Sequence, residues 1–90
     1  MPMMLEQSEA YGRMIAAGRM LAGLDQAELG KLAGVAGATI SNVERGNDAR
    51  DDTRKAVRKA LRDLGICLTW DSKNGIMAVT VAFDQPDEDD

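Results

Sequence analysis

Apolar positions recur at intervals of three and four from Ser8 to Leu64 and then alternate from Ile66 onward, so the chain divides into a helical part and a two-stranded part. Ser8 is a suitable N-cap for a first helix running to about Ala22. Tyr11, Met14 or Ile15, Gly18 and Leu21 share one face, and Gly23 supplies the stop. Asp25 caps a second helix, Glu28 completes a capping-box pattern, and Leu29 and Leu32 point inward. Gly34 makes a turn. A third helix is predicted from about Gly37 to Arg45, with Ile40 and Val43 as its buried face and Gly46 as its end, although Ala36 is a poor N-cap. After the polar loop Asn47 to Asp51, Val57, Ala60, Leu61 and Leu64 mark a fourth helix from about Asp52 to Leu64, ended by Gly65.

In the alternating part, residues 66–72 and 76–83 flank Asn74-Gly75, a pair suited to a two-residue type I′ hairpin turn. Such a turn pairs Trp70 with Val79, Leu68 with Val81 and Ile66 with Phe83, making one face uniformly apolar. The other face carries Cys67, Thr69, Ala78, Thr80 and Ala82. A lone hairpin is marginal in water. It must therefore cover the helices or pair with its counterpart in a second chain. The preferred expectation is dimerisation through Ile66, Leu68, Trp70, Val79, Val81 and Phe83; closure over the chain's own core is the alternative.

Composition narrows the function. Ninety residues suit one small domain with a modest core, for which a partner subunit is a reasonable expectation. No apolar run approaches the roughly 20 residues needed to cross a bilayer, and the N-terminus lacks a secretory pattern, so a cytoplasmic protein without membrane association is expected. One cysteine and no histidine leave no internal disulfide, no zinc ligand set and no Ser/His or Cys/His pair. Asp51-Asp52 and Asp87 to Asp90 suggest metal binding only superficially, since the first pair suits a helix start and the second a tail. Neither an enzyme nor a cofactor or metal is expected.

The formal charge of −4 would oppose nucleic-acid binding, but five acids lie in residues 84–90, and residues 1–83 hold eleven bases against ten acids. That tail reads as disordered and solvating. Arg54, Lys55, Arg58, Lys59 and Arg62 make one surface of the fourth helix basic, a pattern that is more often solvated than a contact surface. The resulting division is a flexible arm (1–7), a helical domain (8–65), the hairpin (66–83) and the acidic tail (84–90).

The spacing from Asp25 to Gly46 is that of a helix, a tight turn and a second helix able to serve as a reading head in a major groove. Residues 11–65 resemble the Cro/repressor-type helix-turn-helix proteins, the XRE family. The signature lies in Gly23 to Leu29, Ala33-Gly34-Val35, Thr39-Ile40-Ser41 and Glu44-Arg45-Gly46. The resemblance implies a mainly α, lambda-repressor-like domain of four helices, here followed by a β-hairpin. It further implies that Gln26 touches a phosphate and that Arg19 pairs with Glu44 to hold the scaffold.

At the start of the third helix, Ala36, Gly37 and Ala38 stand where relatives often carry base-reading side chains. Base readout is left to Thr39, Ser41 and Asn42, with Ala38 able to touch a thymine methyl and Asn42 able to pair with adenine. Gly37 allows close backbone approach, and Arg45, Arg50 and Lys31 are the expected phosphate contacts. The function implied is a dimeric repressor on a palindromic double-stranded operator. The alternative is an antitoxin that represses its own operon and binds a toxin protein, since the fourth helix and following strand resemble the layout of HipB-type antitoxins.

Overall fold

The computed structural model describes residues 6–47 and 49–82. Four helices, α1 (Gln7–Leu21), α2 (Gln26–Ala33), α3 (Gly37–Glu44) and α4 (Asp51–Asp63), precede an antiparallel hairpin of β1 (Ile66–Asp71) and β2 (Ile76–Val81). The chain is mainly helical. Residues 1–5 of the expected arm, Phe83 and the acidic tail lie outside the described residues.

The helix ends follow local chemistry. Asp25 Oδ1 accepts the Glu28 N–H at 2.7 Å, while the Asp25 N–H donates to Glu28 Oε1 at 2.8 Å, closing a reciprocal cap on α2. α1, α2 and α3 each end in the same pair of reversed hydrogen bonds, with a left-handed glycine at Gly23, Gly34 and Gly46. For α2 these bonds run from Val35 N–H to Gly30 O at 2.8 Å and from Gly34 N–H to Lys31 O at 3.3 Å. The start of α1 differs from expectation. Its N-cap is Glu6, whose N–H donates to Glu9 Oε1 at 3.4 Å, so the helix takes in Gln7 and Ser8.

Ile15, Leu29, Ile40, Val57, Leu61 and Ile66 are fully buried and join all four helices and β1 in one core. Gly12 and Gly30 permit close approaches of backbone within the helical part. A Cβ at Gly12 would lie 2.6 Å from the carbonyl oxygens of Val43 and Glu44, and one at Gly30 would lie 2.6 Å from Val35 O. Helical periodicity overreached at the rim: Leu21, Leu32 and Leu64, expected inside, are exposed. Leu21 and Leu32 lie in the last turns of α1 and α2, and Leu64 is the residue that follows α4.

The hairpin register is corrected by two residues. Ile66 pairs with Val81, Leu68 with Val79, Trp70 with Met77 and Asp71 with Ile76, leaving Ser72 to Gly75 as a four-residue loop. A type I′ turn needs positive φ at both central residues, and of Asn74 and Gly75 only Gly75 has it. Asp71 takes over Asn74 instead, its carboxylate accepting the Asn74 N–H at 3.2 Å and Nδ2 at 2.7 Å. The apolar face turns inward. Ile66 is buried, and Leu68 and Val79 pack against the helical core. The hairpin thus closes over its own helices through Ile66, Leu68 and Val79, which a second chain would reach only by opening the core, while Trp70 and Val81 of the expected dimerisation set stay exposed.

Candidate nucleic-acid interface

A polar bracket joins α1, α2 and α3. Arg19, near the end of α1, donates from Nε to Glu44 Oε2 at 2.6 Å and from Nη2 to Glu44 Oε1 at 3.1 Å. Its third contact, Nη1 to Leu24 O at 3.0 Å, clamps the connection into α2. With side-chain exposures of 18% and 8%, the pair is screened far less than a surface ion pair. The hydrogen bond to Glu44, with that carboxylate's charge, raises the Arg19 pKa above its ordinary value despite burial, so the guanidinium stays charged.

Gln26 joins the bracket, donating from Nε2 to Glu44 Oε1 at 3.0 Å. The structure therefore gives the side chain expected at a phosphate an internal role, binding the first turn of α2 to the last residue of α3. The bare Cα of Gly37 is likewise turned to α2, since a Cβ there would sit 3.2 Å from Ala27 Cα. The glycine expected to admit DNA instead admits the neighbouring helix.

Ile40 and Val43 bury the inner face of α3. At roughly 100° per residue, Ala38, Ser41, Asn42 and Arg45 project from the opposite face, with Thr39 turned to its flank. Three of these are already connected. Arg45 Nη1 donates to Ser41 Oγ at 2.9 Å, and Arg45 Nη2 donates to Asn42 Oδ1 at 2.6 Å. Asn47 Nδ2 reaches the same Oδ1 at 3.5 Å. The Asn42 amide nitrogen makes no hydrogen bond in this set, so a donor remains on a side chain whose acceptor is held in place.

The other expected cations lie apart from this group. Lys31 is exposed on α2, and Arg50, the residue before α4, makes an exposed 3.4 Å contact with Asp52. Residues 25–50 contain three bases against four acids, so the surface around α3 is not strongly basic.

Periodicity missed Arg54 and Arg58. Both were read as part of a solvated face, yet Arg54 lies over the Tyr11 ring at 5.4 Å and Arg58 over the Trp70 ring at 5.2 Å. Their spacing of four residues was a weak signal; the aromatic partners come from α1 and β1, which only the tertiary fold brings together.

Compared with protein-family models and with curated proteins, the chain matches none. No helix among the described residues is long and apolar enough to cross a membrane.

Proposed function

We propose that the chain is a DNA-binding transcriptional regulator, most simply a repressor, whose α2–turn–α3 unit is a helix-turn-helix with α3 in the major groove. The bracket of Arg19, Glu44 and Gln26 carries this reading. It ties α3 to α1 through a part-buried fork and to α2 through Gln26, while the outward side chains Ala38, Ser41, Asn42 and Arg45 lie outside the buried core. A rigidly held short helix with a polar outer face is suited to direct readout.

Asn42 is the principal reader in this proposal. Its free amide donor suits adenine N7, and Oδ1 accepts from adenine N6 beside the Arg45 bond once the long 3.5 Å contact from Asn47 gives way. Arg45, Arg50 and Lys31 neutralise phosphates. Three cations per subunit imply a log–log salt slope of roughly −3 per subunit, which is shallow for a regulator.

Two subunits are needed to read a palindrome. The exposed Leu21, Leu64 and Val81 supply the apolar contact. They stand beside the inner group at Gly18, where Ile66, Leu61 and Val79 converge: Leu21 and Leu64 lie three residues beyond Gly18 and Leu61, and Val81 pairs with Ile66.

Selection from random duplex DNA, followed by binding to the enriched site across a salt series, tests the proposal. An enriched palindrome with half-sites about 34 Å apart supports it. A folded protein that enriches no sequence and shows no salt-dependent binding overturns it.

A further inference from the structure

The hairpin delivers the end of the described chain to α4. β1 runs back along that helix, bringing Trp70 to Arg58, so antiparallel β2 runs with α4 and finishes beside its C-terminal end. There the Ala82 N–H donates to Gly65 O at 2.7 Å. Residues 83–90 follow from this point, and five of them, Asp84, Asp87, Glu88, Asp89 and Asp90, are acids.

The helix they reach carries a stripe of cations. Arg54, Arg58 and Arg62 follow at intervals of four residues, and Lys55 lies three residues before Arg58 and seven before Arg62, so the four share one side of α4. The stripe has no counter-charge of its own. The ion pairs of the described residues are Arg19–Glu44, Arg50–Asp52 and Lys59–Asp63, which occupy two of the three acids of α4 and none of the four cations. The third acid, Asp51, stands at the head of the helix, at the end remote from Gly65. Lys55 and Arg62 are exposed, whereas Arg54 and Arg58 are half-buried with their guanidinium groups over the Tyr11 and Trp70 rings. Two charges are thus held in place, and two are free to reach a partner.

We propose that the chain's own acidic segment, residues 84–90, docks on this stripe. Lys55 and Arg62 make the ion pairs, and Arg54 and Arg58 add to the attracting field. The lengths agree, because α4 rises about 12 Å from Arg54 to Arg62 and four extended residues, 87–90, span about 13 Å. Residues 83–86 supply the reversal of direction, for which Pro86 is suited. Surface ion pairs are individually weak, but tethering at Ala82 gives the segment an effective concentration on the order of mM, at which several act together. So held, it withholds four cations of α4 from other polyanions. The contact is separate from the outer face of α3 and stands independently of the DNA-binding proposal.

A nitroxide attached at Asp90→Cys, in a Cys67→Ser background, tests the docking through paramagnetic relaxation of ¹⁵N-labelled amides in the full chain. In about 0.01 M salt, where the Debye length is about 30 Å, enhanced relaxation should extend along α4 from Arg62 to Arg54. It should fall away in about 1 M salt, where that length is about 3 Å. Lys55→Gln/Arg62→Gln should reduce the enhancement about threefold, as the loss of two exposed ion pairs predicts. Both residues are exposed, so circular dichroism should show the fold of that variant retained. Enhancement centred on Gly65 and unchanged by salt and by the double variant means a solvating tail only, and overturns the proposal. Enhancement seen only between spin-labelled and ¹⁵N-labelled chains in a mixture places the segment on a second copy and also overturns it. Because no DNA is present, either failure leaves the reading of α3 intact.

Discussion

Arg19 and Glu44, 25 residues apart in sequence, meet through a two-bonded fork whose shorter N–O distance is 2.6 Å. This fork ties the end of α1 to the end of α3, with Gln26 and the Leu24 carbonyl attached to its two sides. Removing one member leaves the other charge part-buried and unpaired. Glu44→Gln is expected to lower stability by about 2–4 kcal/mol. The double variant Arg19→Met/Glu44→Leu should lose less than the sum of the single losses. Urea unfolding with an unchanged slope checks both.

Gly12→Ala tests the approach of α1 to α3. The added methyl would meet two backbone oxygens at 2.6 Å, and backbone cannot move aside as a side-chain end can. A loss of about 2–3 kcal/mol is expected. Gly23→Ala meets no atom within 4 Å but carries φ +76°, so it should lose only about 1–2 kcal/mol through backbone strain. Thermal unfolding of the two variants separates crowding from conformation.

On DNA, Asn42→Ala should reduce discrimination between the selected site and a mismatched one by about 1–3 kcal/mol, with little change in salt slope. Arg45→Ala should lower the slope by about one unit on every sequence. Arg45→Lys keeps the charge but loses the fork to Ser41 and Asn42, so discrimination should fall while the slope is retained. Competition binding across salt concentrations distinguishes the three. Equal loss on specific and random DNA for Asn42→Ala would remove it as a reader.

Val81→Asp tests the subunit contact. Sedimentation should show a monomer with weaker operator binding, while circular dichroism shows the fold retained, because Val81 is exposed at the end of the hairpin. An unchanged dimer would exclude this face.

Two groups predict opposite pH effects. The Asp71 pKa is lowered from 3.8 by hydrogen bonds from Asn74, so its stabilisation of the hairpin loop is present above pH 3.8 and is lost as the pH falls through the lowered value. Tyr11 is raised above 10.0 by burial, so its contribution is complete below pH 10 and is lost as the pH rises through the raised value. Asp71→Ala should lessen the acid dependence and Tyr11→Phe the alkaline one, read from unfolding midpoints at each pH.

Much of the fold was legible because its signals are short-ranged. The Asp25–Glu28 cap and the glycines at 23, 34 and 46 satisfy their hydrogen bonds within about six residues, so local sequence places those ends. The inward faces of α3 and α4 also follow from periodicity: Ile40, Val43, Val57, Ala60 and Leu61 are buried. The Arg19–Glu44 pair was legible through resemblance, whereas the bond from Gln26 to Glu44 joins residues 18 apart and had no local signal.

By itself, then, the sequence determined four helices, their turns, a hairpin and the outward position of Asn42 and Arg45 on α3. Tertiary structure decided the hairpin register, since a slip of two residues leaves every side chain on its original face and alternation carries no information about it. It also decided that Leu21, Leu32 and Leu64 stay outside and that Arg54 and Arg58 lie against rings from distant segments. Helical periodicity assigns a direction to each side chain, but burial depends on which element from elsewhere in the chain arrives to cover it.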